Sequence, residues 1–401
     1  MLTEFSVFDR GPFKDRVVVS MRAGSSDSHP ENVLESRADD GGLLGSVLFL
    51  GPNSSGKSML LESLDLLRSI ASGDPVPSHR EAFVFGEGAT EISISFTSRL
   101  IPYDYSISYT TEGVVSESLY QYATGRRSMV FLRSGDGFRF GKGAVKNRKT
   151  ISVDGRRSFL SAAAESGDEA CSDALKEILR MRTALSGLQE SLEILESDPE
   201  LKGVVLRALR LADFRVTGIR LTESGLEFEH STEDERFSLP LSAESDGLKR
   251  ALQVLTAVCS SLMEGSVAVV DDLDLHLHPR VVRWILEQYT SDRDPNLAQL
   301  VASVHDATLL DSKGLVRRDQ VYFLDKGVRD GASKIARLTE FGGVRKDADL
   351  QKAYFGWRFD ALPRISSSEE LLRRRRRKSE MMTGRGFLPI VISRLCRPWE
   401  A

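Results

Sequence analysis

Eight consecutive residues, Gly51-Pro52-Asn53-Ser54-Ser55-Gly56-Lys57-Ser58, have the spacing G-x-x-x-x-G-K-S. Glycines at the two ends let the main chain turn tightly, so that several N–H groups point at one anionic group. A helix that opens directly after such a loop adds the positive end of its dipole. The pattern predicts a cradle for the phosphates of ATP, with Lys57 bridging the β- and γ-phosphates and the Ser58 hydroxyl ligating Mg²⁺. A second set of candidate groups closes an apolar run. Ser266-Val267-Ala268-Val269-Val270 ends on Asp271-Asp272-Leu273-Asp274. A carboxylate at the tip of a buried strand can hold the hydration shell of Mg²⁺, and Asp271 fits that role. The next acid faces the attacking water, and Asp272 fits there as general base. Asp274 reads as a helix cap. His305, at the end of the run 299–304, can hydrogen-bond a γ-phosphate oxygen or the attacking water, or simply be a satisfied structural histidine. His276 and His278 flank Leu277, but no third ligand stands near them in sequence, which argues against a metal pair.

The elements that must position these groups are partly visible in the pattern. An apolar run over 43–50 leads into the glycine loop as a strand. Leu60, Leu61, Leu64, Leu67 and Ile70 follow at helical spacing until Gly73-Asp74-Pro75 breaks the helix. Residues 83–160 alternate with a period of two, as in Ile92-Ser93-Ile94-Ser95-Phe96, which predicts a half-solvated antiparallel sheet. Residues 169–214 read as helical, with Ile178, Met181, Leu185, Leu188, Leu192 and Leu195 forming a heptad-like stripe. That stripe suits either a helix packed on its own domain or a short partner-binding coil. Strand-like alternation returns over 216–241. A helix over 247–263, strands over 266–270 and 299–304, and a further strand starting near Arg318 complete the pattern.

The bulk properties restrict the class. The chain has 401 residues, 41% of them hydrophobic, and a formal net charge of -4, which excludes a uniformly basic nucleic-acid-coating protein. Its three cysteines, Cys171, Cys259 and Cys396, have no paired spacing, so neither a disulfide framework nor a zinc site is expected. No run of about 18 apolar residues is present, and the N-terminus lacks a signal peptide's layout, so no membrane span and a cytoplasmic location are expected. The end of the chain differs. Arg373-Arg374-Arg375-Arg376-Arg377-Lys378 is a basic run, open to two readings: a solvated charge run, or a salt-dependent contact with nucleic-acid phosphates.

Taken together, the glycine loop, a long insertion, Ser245-Asp246-Gly247-Leu248-Lys249-Arg250, the acidic strand, Leu277-His278-Pro279 and Val304-His305-Asp306 resemble the ABC-type ATPases. More narrowly, the chain resembles the stand-alone AAA-family ATPases of the OLD/SMC-like branch, many of which occur in prokaryotic anti-phage and abortive-infection loci. The resemblance covers residues 1–365 and includes Glu4-Phe5-Ser6-Val7 and His29-Pro30-Glu31-Asn32-Val33. It implies an α/β fold: a P-loop ABC/SMC-like ATPase head with a mixed sheet flanked by helices, an antiparallel β lobe and a helical insertion. The corresponding division is 1–160 for the first part of the ATPase domain, 161–215 for the insertion, 216–365 for the second part and 366–401 for the basic tail. The resemblance also implies that Ser245 and Gly247 form the signature that caps ATP held by another subunit. Leu277-His278-Pro279 would touch that subunit, and His305 would be the switch histidine. Two chains would then close head-to-tail around two ATP molecules as a homodimer, or a higher oligomer, and hydrolysis would release them.

Three departures from that pattern stand out. Asp272 occupies the place of a catalytic glutamate and is one methylene shorter, which predicts slow hydrolysis. No glutamine occurs between Ser58 and Tyr120. Gly11 stands where an arginine near the base or sugar is common, with Arg10 one residue earlier. The function expected is a regulatory ATPase that controls a separate effector protein, in the setting of prokaryotic defence, since no nuclease signature is present. A DNA-repair or chromosome-maintenance ATPase of the SMC/RecF kind is the alternative. A transporter subunit is disfavoured by the signature, and a scaffold that binds ATP without hydrolysing it remains open.

Overall fold

The computed structural model describes residues 1–363 except 27, 36–40, 80, 87, 142–150, 186, 223–224, 295, 311–314, 343–348, 357 and 360. Residues Met1–Leu362 form one compact unit. The basic run from position 373 to 378 and Cys396 lie outside the described residues; Cys171 and Cys259 are buried and form no disulfide with each other.

The first fifty residues supply strands β1 (Leu2–Phe8), β2 (Val17–Ser20), β3 (Val33–Leu34), β4 (Leu43–Leu44) and β5 (Ser46–Leu50), and the glycine loop then opens helix α1 (Lys57–Ser72). The alternating region forms β6 (Thr90–Ser98), β7 (Ile101–Tyr109), β8 (Val114–Gln121), β9 (Ser128–Ser134) and β10 (Gly137–Phe140). Next come α2 (Phe159–Glu165), α3 (Glu169–Leu179), β11 (Arg182–Ala184), α4 (Gln189–Ser197) and α5 (Pro199–Leu211). A small sheet of β12 (Val216–Thr222), β13 (Gly225–Ser231) and β14 (Arg236–Pro240) precedes α6 (Asp246–Glu264). The chain continues through β15 (Val267–Val270), α7 (Pro279–Gln288), β16 (Gln299–Ser303), β17 (Val321–Lys326), β18 (Ser333–Arg337) and α8 (Leu350–Phe355).

These strands make two large sheets. The antiparallel lobe has seven, in the order β10-β9-β8-β7-β6-β1-β2. The mixed sheet has six, in the order β11-β15-β16-β5-β17-β18, with all neighbours parallel except the β17–β18 pair. Its central strands are buried on both faces, which explains why they read as continuous apolar runs rather than alternating ones. The period of two still sorts their side chains. Val47 and Phe49 of β5 join a core with α1 and the antiparallel lobe, whereas Leu48 and Leu50 join a second core with α5, α6 and α7. The fold is therefore the α/β ATPase-head arrangement: a mixed sheet covered on one face by helices and on the other by α1 and the β lobe.

The region 169–214 departs from expectation. It is not one helical stretch: α3 ends at Leu179, and Arg182–Ala184 adds to the edge of the mixed sheet beside β15. The heptad-like stripe is divided by this strand. Ile178 and Met181, with Leu185 packed against them, face the α1 side, whereas Leu195, with Leu188 and Leu192, faces the α6 side. An edge strand crossing the sheet satisfies its backbone through β15, a long-range partner that periodicity cannot register.

Candidate nucleotide site

The glycine loop leaves the carboxyl end of β5, next to the ends of β15 and β16, so sheet topology gathers the three sequence-distant groups at one crevice. This is the end of a parallel sheet at which ligands bind in open α/β folds. The cavity there has a volume of about 590 Å³. Its wall includes Asn53, Lys57, Ser58, Asp272 and His305.

Gly56 precedes α1 with φ at 101°, a left-handed conformation, and a Cβ there would lie 2.8 Å from Pro12 Cγ and 2.9 Å from Phe13 Cζ. Only glycine fits both constraints. Gly56→Ala is expected to cost about 1–3 kcal/mol of stability, seen as a lowered denaturation midpoint. An unchanged midpoint would contradict this packing. Lys57 is buried, and its ammonium donates to the carbonyls of Gly51 (2.9 Å) and Pro52 (3.1 Å). Burial pulls its pKa down, and the carboxylates of Asp272, Asp271 and Asp274 pull it partly back. The Ser55 hydroxyl is fully buried, finds no hydrogen-bond partner among the described residues and is not part of the cavity wall. Asn53, Ser54, Gly56, Lys57 and Ser58 line the cavity where α1 begins, so the loop fits a nucleotide's phosphates. Ser58 lines the cavity and Asp271 does not, its carboxylate accepting from Ser303 instead; oxygen donors of this kind suit a hard cation such as Mg²⁺.

The acidic turn is held from two sides. The Ser303 hydroxyl donates to Asp271 Oδ1 at 2.5 Å, and the Asp272 amide donates to Ser303 Oγ at 2.6 Å. On the other side, the buried Arg250 guanidinium donates to the carbonyls of Asp271 and Asp272. Burial lowers the Arg250 pKa, against the opposing pull of Asp272, Asp271 and Asp274. Asp272 itself has φ at 43°, a conformation that aspartate tolerates better than most residues. Its carboxylate lies 3.2 Å from His305 Nε2. The hydrogen bond from His305 is the main reason the Asp272 carboxyl is held below the usual range. Its contribution to folding is therefore present above the ordinary carboxylate pKa and is lost as pH falls through the lowered value.

Asp274 does not cap the helix that follows it. Its Oδ2 accepts from the amides of His305 (2.8 Å) and Asp306 (2.6 Å), which fixes the turn that carries the histidine. The cap of α7 is His278, whose Nδ1 accepts from Arg280 N at 3.2 Å. Among the described residues no group of three or more His, Cys, Asp or Glu side chains is placed to hold a metal ion. Ser245 and Gly247 stand elsewhere. Ser245 is the exposed N-cap of α6, accepting from Leu248 N at 3.2 Å, and neither residue lines the cavity. Arg10 does not reach the cavity wall either. It is buried, donating to Ser63 Oγ, Glu81 and Tyr109, while Gly11 lines the wall instead.

Four site groups were not singled out by sequence. Ser303 is a polar residue ending an apolar strand, which was a usable signal. Arg250 lay inside a recognised motif, but its contact with the acidic turn is purely tertiary. Glu62, raised above the usual carboxylate range by burial, and Lys326 line the cavity without any local sequence mark.

A family profile described as "AAA domain, putative AbiEii toxin, Type IV TA system" matches residues 47–311, well over half of the chain. The chain belongs to this AAA family. The matched span of this AAA-family chain runs from β5 through the turn bearing His305, so it contains the glycine loop, Ser245 to Arg250 and the acidic strand. No curated protein matches it. Similar solved structures include an SMC head domain from Thermotoga maritima, at 13% identity over 84% of this chain and 98% of that one, with a TM-score of 0.42. An SMC head bound to the C-terminal winged-helix domain of ScpA has 12% identity, 85% and 99% coverage and a TM-score of 0.47. An SMC head with an extended coiled coil, bound to the C-terminal domain of ScpA derived from Pyrococcus furiosus, has 12% identity, 88% and 98% coverage and a TM-score of 0.43. The fold of this AAA-family chain rests on its own strand order. No helix among its described residues is long and apolar enough to cross a membrane.

Proposed function

We propose that this AAA-family protein binds ATP with Mg²⁺, hydrolyses it slowly, dimerises around it and thereby controls a separate effector in prokaryotic defence. One observation carries the enzymatic part: Asp272 and His305 meet at 3.2 Å on the wall that also holds Lys57 and Ser58. In this reading the loop amides and Lys57 hold the phosphates, and Ser58 and Asp271 hold the cation, which would neutralise charge on the transferred phosphoryl group. Asp272 accepts a proton from water, and His305 orients that carboxylate. Turnover of ATP by the purified chain tests it. Binding without hydrolysis would leave only an ATP-dependent scaffold.

The dimer is supported by the position of the signature. Ser245 and its helix end are exposed and lie outside the chain's own cavity, as a group serving another subunit must. Ser245→Asp keeps an N-cap side chain but sets a carboxylate against the partner's nucleotide. Sedimentation is expected to show ATP-dependent dimers for the wild type and monomers for Ser245→Asp. Equal dimerisation of both would remove the sandwich. The defence setting is supported by the family description, which names a toxin–antitoxin system. A toxin or nuclease in the neighbouring reading frame would agree with it. Turnover stimulated by DNA without any such partner would favour the SMC/RecF-like alternative. Contact of the basic run, Arg373 to Lys378, with nucleic acid belongs to the same proposal and is read out by binding at low salt.

A further inference from the structure

We propose that Lys326 is a second cationic nucleotide-binding residue of this cavity, contacting the α-phosphate and ribose end of the ligand and not its γ-phosphate. The inference rests on the nucleotide reading above and specifies how the ligand lies. Lys326 is the last residue of β17 and is exposed on the cavity wall. Among the described residues no carboxylate pairs with it. Its position follows from topology. Strand β17 runs parallel to β5 on the side opposite β16. Asp271, suited to the cation, and Asp272 and His305, suited to the water that attacks the terminal phosphate, follow the ends of β15 and β16. A nucleotide whose γ-phosphate points at them must extend its α-phosphate and ribose toward the other flank of the loop, where β17 ends.

That flank is also built to hold such an end. The turn from β17 to β18 is closed by bonds from Gly327 N to Ala332 O (2.8 Å) and from Gly331 N to Gly327 O (3.0 Å). Ser333 N donates to Pro12 O at 2.7 Å, which ties the turn to the apolar part of the wall that Pro12, Met59 and Val84 provide. Gly331, with φ at 69°, lies under the lysine stem: a Cβ there would stand 4.0 Å from Lys326 Cε. An apolar surface beside an unpaired ammonium matches the chemistry of a nucleoside with its first phosphate. Around the loop, by contrast, Lys57 is one cation among several carboxylates, namely Asp271, Asp272, Asp274 and Glu62. Even with Mg²⁺ bound the nucleotide stays anionic, and Lys57 stands among carboxylates, so a second cation is favourable.

Titration calorimetry of the full chain with ADP and with AMP-PNP, both in Mg²⁺, tests this. ADP and AMP-PNP share the α-phosphate and differ at the terminal one. Lys326→Ala is expected to weaken both by the same factor, about five- to tenfold, and Lys326→Arg to recover most of the loss. The thermal midpoint of each variant serves as the folding control. Unchanged affinities overturn the inference, as does a loss confined to AMP-PNP or an arginine variant as weak as the alanine one. If the wild type binds neither nucleotide, the functional reading falls and this inference with it. If the wild type binds both and Lys326→Ala binds equally well, only the inference falls.

Discussion

Lys57→Ala is expected to lower ATP affinity about 100-fold, equivalent to about 2.7 kcal/mol, while leaving the chain folded. The size follows from what the ammonium is asked to do. A charge-assisted hydrogen bond to a phosphate in a partly desolvated cleft contributes about 1.5–3 kcal/mol, and alanine keeps none of it. The structural cost is small by comparison. Lys57 is buried, its partners among the described residues being the Gly51 and Pro52 carbonyls, and burial already disfavours its charge. Removing it forfeits two hydrogen bonds and relieves a desolvation penalty, a net change of about 1 kcal/mol. Calorimetric titration with ATP beside a denaturation curve separates the two effects. Wild-type affinity in the variant would remove the loop from nucleotide binding.

The second large effect concerns Asp272. Asp272→Asn is expected to reduce ATP turnover about 100-fold, within the range for losing a general base, without weakening ATP binding to the same extent. Asp272→Glu should act in the opposite direction. The native carboxylate is drawn to His305 at 3.2 Å, with Ser303 Oγ 3.3 Å from the same oxygen, so it is held back against the strand ends. One more methylene extends it toward the phosphates, and turnover should rise several-fold. The longer side chain has its own penalty. With φ at 43° the backbone favours aspartate over glutamate, and the glutamate variant should lose about 1 kcal/mol of stability. Faster hydrolysis with a lower unfolding midpoint is the expected pair of results from steady-state phosphate release and thermal melts. A wild-type enzyme that already turns over rapidly would defeat the idea that ATP binding, more than hydrolysis, sets its state.

Where sequence and structure agree, the reason is local. The loop was legible because its function fixes the residue types: glycine at φ 101° beside Pro12 and Phe13, a lysine, then a hydroxyl. The antiparallel lobe was legible because one of its faces is buried, so β6 alternates strictly and β7 does over Tyr103–Ile107. Helix α6 was legible because Ser245 caps it and Gly265, in the left-handed conformation, ends it. The disagreements are equally specific. Asp274 looked like the cap of its own helix, since an acid before a helix usually is one. Its carboxylate instead reaches the amides of His305 and Asp306, some thirty residues away in sequence. The heptad-like stripe looked continuous because Ile178 to Leu195 keep the right intervals across a strand that no interval records.

The sequence by itself determined the phosphate loop with its flanking strand and helix, the acid pair that ends β15 and the histidine just past β16. Each of these is set by neighbours within a few residues. The tertiary structure decided their meeting. Parallel pairing of β15, β16 and β5 places the acid pair, His305 and the loop at one end of one sheet, and parallel strands lack the short turns that announce a hairpin. It also decided that Ser303 and Arg250 brace the acidic turn, that Ser245 stands outside the chain's own cavity and that Lys326 lines it. Those outcomes depend on which faces must be buried together, and burial is a property of the whole chain rather than of any segment.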